Sequence, residues 1–305
     1  MRTPPKLAIP ESANSVSAEI RKLLRAADVG SRLPTPKAEI LRCANLVEIG
    51  DLDLAQYEES RAQKLSDFFY RTFRKIRGFL DRRTEEIYID PQLKPTKKNF
   101  VTYHEVTHRI LPWQRVQYTE DDELTLSSDC EIRFECEANY GAAELLFQCD
   151  RFETEARDFQ LSLSSAQYLA DNFDASYHAS IRRFVERNHR PCALLMLKPT
   201  ARINPSGETS FCVSHVVLSP TFVLRFGDPF GFTFVNPDDE LGKILNSERN
   251  SEIALKDCKG FMTDCTVELF NNHYTRFALI FPKDIGNARR RVVPVSQIAD
   301  LRIGR

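Results

Sequence analysis

The amino-acid sequence predicts an α+β chain in which helices dominate the first two thirds and strands dominate the rest. Apolar residues recur at helical spacing in stretches 99–111 and 133–146, and Ala, Glu and Leu are frequent in the second stretch. After Arg190-Pro191, short apolar runs alternate with Pro, Gly and Asn turns, which is typical of a set of strands. We therefore expect three parts, at residues 1–150, 151–190 and 191–305.

Length, charge and cysteine usage limit the class of protein. With 305 residues and a net charge of −1, the chain is long enough for several compact units and lacks a field that would attract nucleic acid or membranes. No apolar run approaches the roughly 18 residues of a membrane span, and the first residues lack the apolar core of a signal peptide. The eight cysteines form no Cys-x-x-Cys pair. These features predict a cytoplasmic protein with free thiols and no membrane contact.

A His-Glu-x-x-His motif at residues 104–108 lies within the first helical stretch. Positions i and i+4 share one face of a helix, so His104 and His108 can each direct a nitrogen at one metal ion. Glu105 is then placed to take a proton from a water whose pKa zinc lowers to about 7. The alternative interpretation is an amphipathic helix with two ordinary histidines. Pro112 should end the helix soon after the motif.

A catalytic zinc site needs a third protein ligand, and the second helical stretch offers two candidates. Glu135 and Glu137 are two positions apart, about 200° around a helix, so only one of them can face the metal. The residues alone leave this choice open. Asn139 follows Glu135 by one turn, where it would contact the ligand or remain a helix-surface amide.

The two motifs together resemble the ImmA/IrrE family of zinc metallopeptidases. The second motif is Glu-x-Glu-Ala-Asn-x-x-Ala-Ala-x-Leu-Leu at 135–146, and the lead-in at 86–90 is similar to that family's strand before the active-site helix. The resemblance implies a zincin-like metallopeptidase domain. It also implies that His104, His108 and Glu135 hold zinc, with manganese as the other metal such a set accepts, and that Glu105 is the general base. It is this resemblance that favours Glu135 over Glu137.

Three residues or pairs depart from the family pattern. Thr107 stands where the family often has Gly or Ser, and Tyr140-Gly141 replaces an aromatic-Ala pair. Arg109 is charged where a buried metalloprotease helix usually has an uncharged residue. None of these departures removes a ligand, although Gly141 should weaken its helix by up to ~1 kcal/mol relative to alanine.

Segments before and between the motifs carry further predictions. Gly78–Asp81 and Glu86–Asp90 predict a hairpin, and Ala55–Arg77 predicts one long helix that is basic toward its end. In zinc peptidases of this helix type a strand edge pairs with the extended substrate, and the resemblance suggests the segment around Tyr88 for that role. The acidic stretch 118–128 predicts an exposed loop over the site.

The later parts of the chain resemble the same family more weakly. Two short helices opened by Ser164 and Ser176 resemble its helix-turn-helix-like segment. Arg182 and Arg183 would meet phosphates if this pair bound DNA, but no basic excess surrounds them, so direct DNA binding is not expected. Residues 191–305 take the position of a sensor-like (GAF-like) α+β domain. A structural or dimerising domain is the alternative interpretation.

The resemblance also implies a function. Proteins of this kind cut one helix-turn-helix transcriptional repressor, which releases genes for stress response or mobile-element transfer. We therefore expect a metalloendopeptidase with a protein substrate; the sequence does not define its oligomeric state. The alternative is a non-catalytic regulator that binds DNA or a repressor through a peptidase-like fold. Glu105 favours the enzyme, because a pure binder has no need of a carboxylate at that position.

Overall fold

The computed structural model describes residues 9–49, 78–82, 84–120, 128–203, 207–272, 275–285 and 291–293. The chain divides into two compact units. One unit comprises the described parts of Ala8–Arg151 and Asp171–Ser176, and the other those of Phe152–Ala170 and Tyr177–Arg305. Both units contain helices and a sheet, as the predicted α+β class requires. The division into three functional parts stays a prediction.

The first unit consists of helices around a small sheet. Its elements are α1 (Ala13–Ala26), α2 (Lys37–Ala44), β1 (Val47–Ile49), β2 (Gly78–Asp81), β3 (Glu86–Ile89), α3 (Pro95–Ile110), α4 (Pro112–Glu120) and α5 (Ser128–Leu146). The sheet order is β1-β3-β2, with β1 parallel and β2 antiparallel to β3. The predicted hairpin is confirmed. The long helix predicted over 55–77 lies outside the described residues.

The sheet order corrects the role expected for Tyr88. Tyr88 pairs with Ile49 of β1 on one side and with Phe79 of β2 on the other, so its strand is central. An added peptide needs a strand with unpaired backbone groups, which a central strand lacks. In the described sheet β2 is an edge strand, and a Cβ atom built on Gly78 would lie 3.6 Å from Glu105 Oε1. The edge strand beside the motif in the described sheet is therefore β2.

Helix α3 carries the His-Glu-x-x-His motif and is buried on all sides along its second half. Pro95 opens the helix, where its missing N–H is no loss. All eight residues of segment 101–108 are buried. The helix ends because Leu111 precedes Pro112 and takes an extended conformation, while its N–H still donates to the carbonyl of Thr107. Pro112 then starts α4, so the chain is helical as far as Glu120 and the predicted loop does not begin at residue 118. Residues 121–127 of that predicted loop lie outside the described residues.

Two of the departures from the family pattern contact each other where α3 crosses α5. A Cβ atom built on Gly141 would lie 2.4 Å from Thr107 Cγ2 and 2.8 Å from its Oγ1. Thr107 cannot move away freely, because its hydroxyl donates to the carbonyl of Tyr103 at 2.7 Å inside the core. The branched side chain of Thr107 on α3 thus requires the glycine at position 141 on α5.

We expect Gly141→Ala to lower the free energy of unfolding by about 1–3 kcal/mol, because the added methyl overpacks the α3–α5 contact. The sign of this change is informative, because alanine is a better helix former than glycine by ~1 kcal/mol. If position 141 had open space around it, the substitution would raise the free energy of unfolding. Urea denaturation measures the change. The double variant Thr107→Ala/Gly141→Ala is the control and should recover part of the loss. A single variant as stable as the wild type would contradict the close contact.

The chain after residue 150 forms five further helices and a larger sheet within the described residues. The elements are α6 (Arg151–Arg157), α7 (Leu163–Asn172), α8 (Tyr177–Glu186), β4 (Ala193–Ile203), β5 (Thr209–Leu218), α9 (Pro220–Phe226), β6 (Phe234–Val235), α10 (Glu240–Ser247), β7 (Ser251–Lys256), β8 (Met262–Asn271) and β9 (Arg276–Pro282). The sheet is antiparallel, in the order β6-β5-β4-β9-β8-β7. Its core includes Phe222 and Phe226 of α9 and Leu241 and Leu245 of α10.

In this region two local predictions are wrong and one strand was missed. The apolar run at 221–225, one of the runs after Arg190-Pro191 that we expect to be strands, is α9. Ser219 caps this helix by accepting from the N–H of Phe222, and Pro220 opens it. Helix α7 starts before Ser164, and the hydroxyl of Ser162 accepts from the N–H of Ser165 instead. Strand β7 was not predicted at all. Ser176 does directly precede α8, as expected.

The helix pair α7–α8 holds one of its two arginines away from solvent. Arg183 is buried and forms an ion pair with Glu153 at 2.8 Å. The hydroxyl of Ser180 donates to the carbonyl of Ala166 and ties the two helices together. Arg183 is therefore unavailable to a phosphate backbone, and the absence of direct DNA binding stays a prediction.

Two further findings concern the cysteines and the apolar character of the helices. The eight cysteines are free thiols. None of the helices in the described parts of the chain combines the length and apolar character needed to cross a bilayer.

Candidate metal centre

Side chains from α3 and α5 converge on one point in the first unit. His104 Nε2 and His108 Nε2 are 3.1 Å apart. Glu135 Oε2 lies 3.4 Å from His104 Nε2, and Glu135 Oε1 lies 3.3 Å from His108 Nε2. Both histidines are buried, and the Glu135 side chain is 19% exposed. Among the described residues this is the only group of three or more His, Cys, Asp or Glu side chains arranged to hold a metal ion.

The donor set fits a metal ion better than it fits a hydrogen-bond network. Each neutral imidazole carries one proton, so two facing Nε2 atoms and a carboxylate present more acceptors than donors. His104 Nδ1 and Glu135 Oε2 are buried and have no hydrogen-bond partner within the described residues. Two imidazoles and one carboxylate, with no fourth protein ligand in the group, match an open catalytic site that accepts zinc or manganese.

Glu137, the rival candidate for the third ligand, points away from the histidines. Its carboxylate accepts from Trp113 Nε1 at 2.9 Å, from Gln114 Nε2 at 2.7 Å and from the hydroxyl of Ser12 at 2.5 Å. The structure thus brings Glu135, and not Glu137, to the two histidines. Asn139 is exposed and makes no hydrogen bond with Glu135 in the described part of the chain, so it is a helix-surface amide.

Glu105 lies beside the cluster without joining it. Its side chain is buried, and burial raises its pKa, while the charges of His104 and His108 oppose that rise. A buried carboxyl group therefore stands next to the point where the three candidate ligand atoms meet. Arg109 turns the other way and forms an ion pair with Glu85 at the hairpin, which explains a charged residue on this helix.

The contacts within the cluster shift two further pKa values in opposite directions. Burial opposes ionisation of Glu135, but its contacts with His104 and His108 outweigh burial and hold its pKa well below the usual range. Burial would lower the pKa of His108, yet the hydrogen bond and the charge of Glu135 raise it overall. The carboxylate of Glu135 and the imidazole of His108 therefore stabilise each other's charged forms.

Two residues had no signal in the sequence: Gln114, which contacts His108, and Trp113, which contacts Glu137. Gln114 is fully buried, and its Oε1 atom lies 2.8 Å from His108 Nδ1. Trp113 shares the Glu137 carboxylate with it. Both follow the proline that ends α3, a position that looks like a connection in the sequence. Only the turn into α4, which folds the chain back over the motif, places them at the site.

The comparison with protein families decides the identity of the domain. The family model Peptidase_M78, described as the IrrE N-terminal-like domain, matches residues 61–184 and so includes both motifs. Residues 61–184 of this chain match an IrrE N-terminal-like domain. The recognition made from the two motifs is confirmed, and the cluster of His104, His108 and Glu135 lies inside the IrrE N-terminal-like domain.

The other two comparisons concern curated proteins and solved structures. No curated protein matches the chain in sequence. Among solved structures, a Mycobacterium tuberculosis transcriptional regulator is similar over 88% of this chain and 76% of that chain, with 10% sequence identity and a TM-score of 0.47.

Proposed function

We propose that this protein is a zinc-dependent site-specific endopeptidase that cleaves a protein partner. The observation that carries the proposal is the convergence of His104, His108 and Glu135 beside the buried Glu105 within an IrrE N-terminal-like domain. In the proposal the first three residues hold the metal, with manganese as the alternative ion, and Glu105 is the general base.

Each residue has one task in the proposed reaction. A bound zinc would supply Lewis-acid polarisation of the scissile carbonyl and lower the pKa of water. Glu105 takes a proton from the attacking water onto its carboxylate and then gives it to the departing amine. The buried residues 101–108 of α3 keep bulk water away from this proton transfer, which strengthens the electrostatic interactions in the site. A pure binding protein would need none of these proton-transfer groups.

The substrate would bind as an extended strand. The unpaired side of β2 in the described sheet supports this proposal, because its first residue, Gly78, lies close to Glu105. Backbone hydrogen bonds along β2 would hold the peptide, and the absence of a side chain at Gly78 would let its backbone approach the carboxylate.

The partner we propose is a helix-turn-helix transcriptional repressor, whose cleavage would switch on stress-response or mobile-element genes in the cytoplasm. In this proposal residues 1–150 form the zincin-like domain, residues 151–190 the helix-turn-helix-like segment and residues 191–305 a sensor-like (GAF-like) domain. The six-stranded antiparallel sheet with helices packed on it supports the last assignment.

Metal removal tests the proposal. We expect the purified protein to carry about one zinc per chain and to cleave the repressor encoded beside its gene. A chelator should reduce that cleavage at least a hundredfold, and added zinc should restore it. Plasma mass spectrometry measures the metal, and mass spectrometry of the products locates the cut. A protein that binds the repressor and neither holds metal nor cuts it would support the non-catalytic alternative.

A further inference from the structure

The side chain of Gln114 lies between the candidate metal cluster and the carboxylate of Glu137, which is not part of that cluster. Its Oε1 atom lies 2.8 Å from His108 Nδ1, and its Nε2 atom donates to Glu137 Oε2 at 2.7 Å. Nε2 is also 3.4 Å from the carbonyl of Phe134. Gln114, Glu137 and His108 are all buried. The two ends of one side-chain amide thus meet a histidine and a carboxylate.

The orientation of this amide is fixed by chemistry. A carboxylate accepts hydrogen bonds and, when ionised, cannot donate them. Three donors converge on the two oxygens of Glu137, from Ser12, Trp113 and Gln114, so the NH₂ end of the amide must face Glu137. The carbonyl end of Gln114 must then face His108. Trp113 and Ser12 hold Glu137 in place from α4 and from the start of α1.

The orientation of the amide determines which nitrogen of His108 carries the proton. A carbonyl oxygen 2.8 Å from Nδ1 is favourable only if Nδ1 is protonated and donates. A neutral His108 then keeps its lone pair on Nε2, the atom that faces His104 Nε2 and Glu135 Oε1. Hydrogen bonds of this kind fix the tautomer and the ring orientation of metal-ligating histidines.

We propose that Gln114 is a positioning residue that presents His108 Nε2 to the metal, and that Glu137 acts through Gln114 by fixing its amide. This inference rests on the proposed metal site. Glu137 thus serves the site as the last acceptor of a chain Glu137–Gln114–His108, instead of as a ligand. This chain of hydrogen bonds includes Gln114, which follows Pro112 on α4. In the proposal α4 therefore supports the metal site without contacting the metal.

Zinc affinity measured by competition with a chelating dye tests the proposal. We expect Gln114→Met, which keeps the volume and loses both hydrogen bonds, to weaken zinc binding about 10–100-fold. Glu137→Leu should weaken it similarly, because the amide of Gln114 is then free to turn. Glu137→Gln should rescue the affinity to within about threefold. Its amide oxygen can still accept from Gln114 and Trp113, and its NH₂ group can donate to the hydroxyl of Ser12.

The tautomer of His108 gives a readout that does not depend on zinc. In metal-free protein labelled with ¹⁵N-histidine, in alkaline buffer where the ring is neutral, we expect the wild type to carry its proton on Nδ1. In Gln114→Met the proton should move to Nε2, where Glu135 Oε1 lies within 3.3 Å. Thermal denaturation shows whether each variant is folded.

The outcomes separate this inference from the proposed function. A proton on Nε2 in the wild type, or a folded Gln114→Met with wild-type zinc affinity, would overturn the role of Gln114. A wild type that binds no zinc but carries the proton on Nδ1 would overturn the metal site and leave the hydrogen-bond chain intact.

Discussion

Replacing Glu105 with glutamine is expected to lower the rate of peptide cleavage by roughly 10²–10⁴-fold and to leave zinc affinity near the wild-type value. Glutamine has the same shape as glutamate, and Glu105 is outside the group of residues that meet at the metal position. The amide cannot take a proton from water, so the general-base contribution is lost while binding is kept. Turnover of the repressor substrate and dye competition for zinc measure the two effects.

A matched control for this variant is Glu86→Gln in strand β3, which makes the same change of group in the same unit. Glu86 accepts from the hydroxyl of Tyr88 at 2.5 Å and takes no part in the cluster. Its variant should cleave at the wild-type rate. If Glu105→Gln also cleaves at the wild-type rate, Glu105 is not the general base, and another group must move the proton.

Replacing Glu135 with alanine is expected to weaken zinc binding by at least about a hundredfold. Structural zinc sites gain about 10–16 kcal/mol from four ligands, or about 3 kcal/mol for each, and 1.4 kcal/mol is a factor of ten. The variant also leaves His104 Nε2 and His108 Nε2 3.1 Å apart without the carboxylate that lies close to both. The metal content of the purified variant, measured by plasma mass spectrometry, should fall close to zero.

Asn139→Ala is the control for Glu135→Ala, since it truncates an exposed side chain one helical turn later on the same helix. It should keep about one zinc per chain. Retention of zinc by Glu135→Ala would remove Glu135 from the ligand set and reopen the choice between the two glutamates.

The helices of the site could be predicted because their signals are local. Helix α3 covers the predicted stretch 99–111 except for Leu111, and α5 covers the predicted stretch 133–146. A spacing of four residues is enough to place His104 and His108 on one face of α3. The choice between Glu135 and Glu137 is not local, because it depends on how α5 is rotated against α3. The Thr107–Gly141 contact fixes that rotation, and in the sequence both residues were only departures from a family pattern.

The place of β3 in its sheet and the residues around the site could not be predicted, because they too depend on contacts that are not local in the sequence. The residues of β3 predict a strand, but its place between β1 and β2 depends on pairing with residues about 40 positions away. Gln114 and Trp113 reach the site only because the chain turns at Pro112 into a second helix. In the later part, the apolar run after Pro220 has residues common in strands, and the cap at Ser219 makes it helical.

The burial of α3 has a consequence for the choice of substrate. His104 and His108 are 1% and 6% exposed, so a rigid, folded partner surface cannot reach them. A partner would have to present a linker or a transiently opened segment. The cleavage rate would then depend on the free energy of that opening. Stabilising the fold of the partner should then protect it from cleavage even when the sequence at the cut is unchanged. Selectivity would arise from the local stability of the target as much as from side-chain recognition.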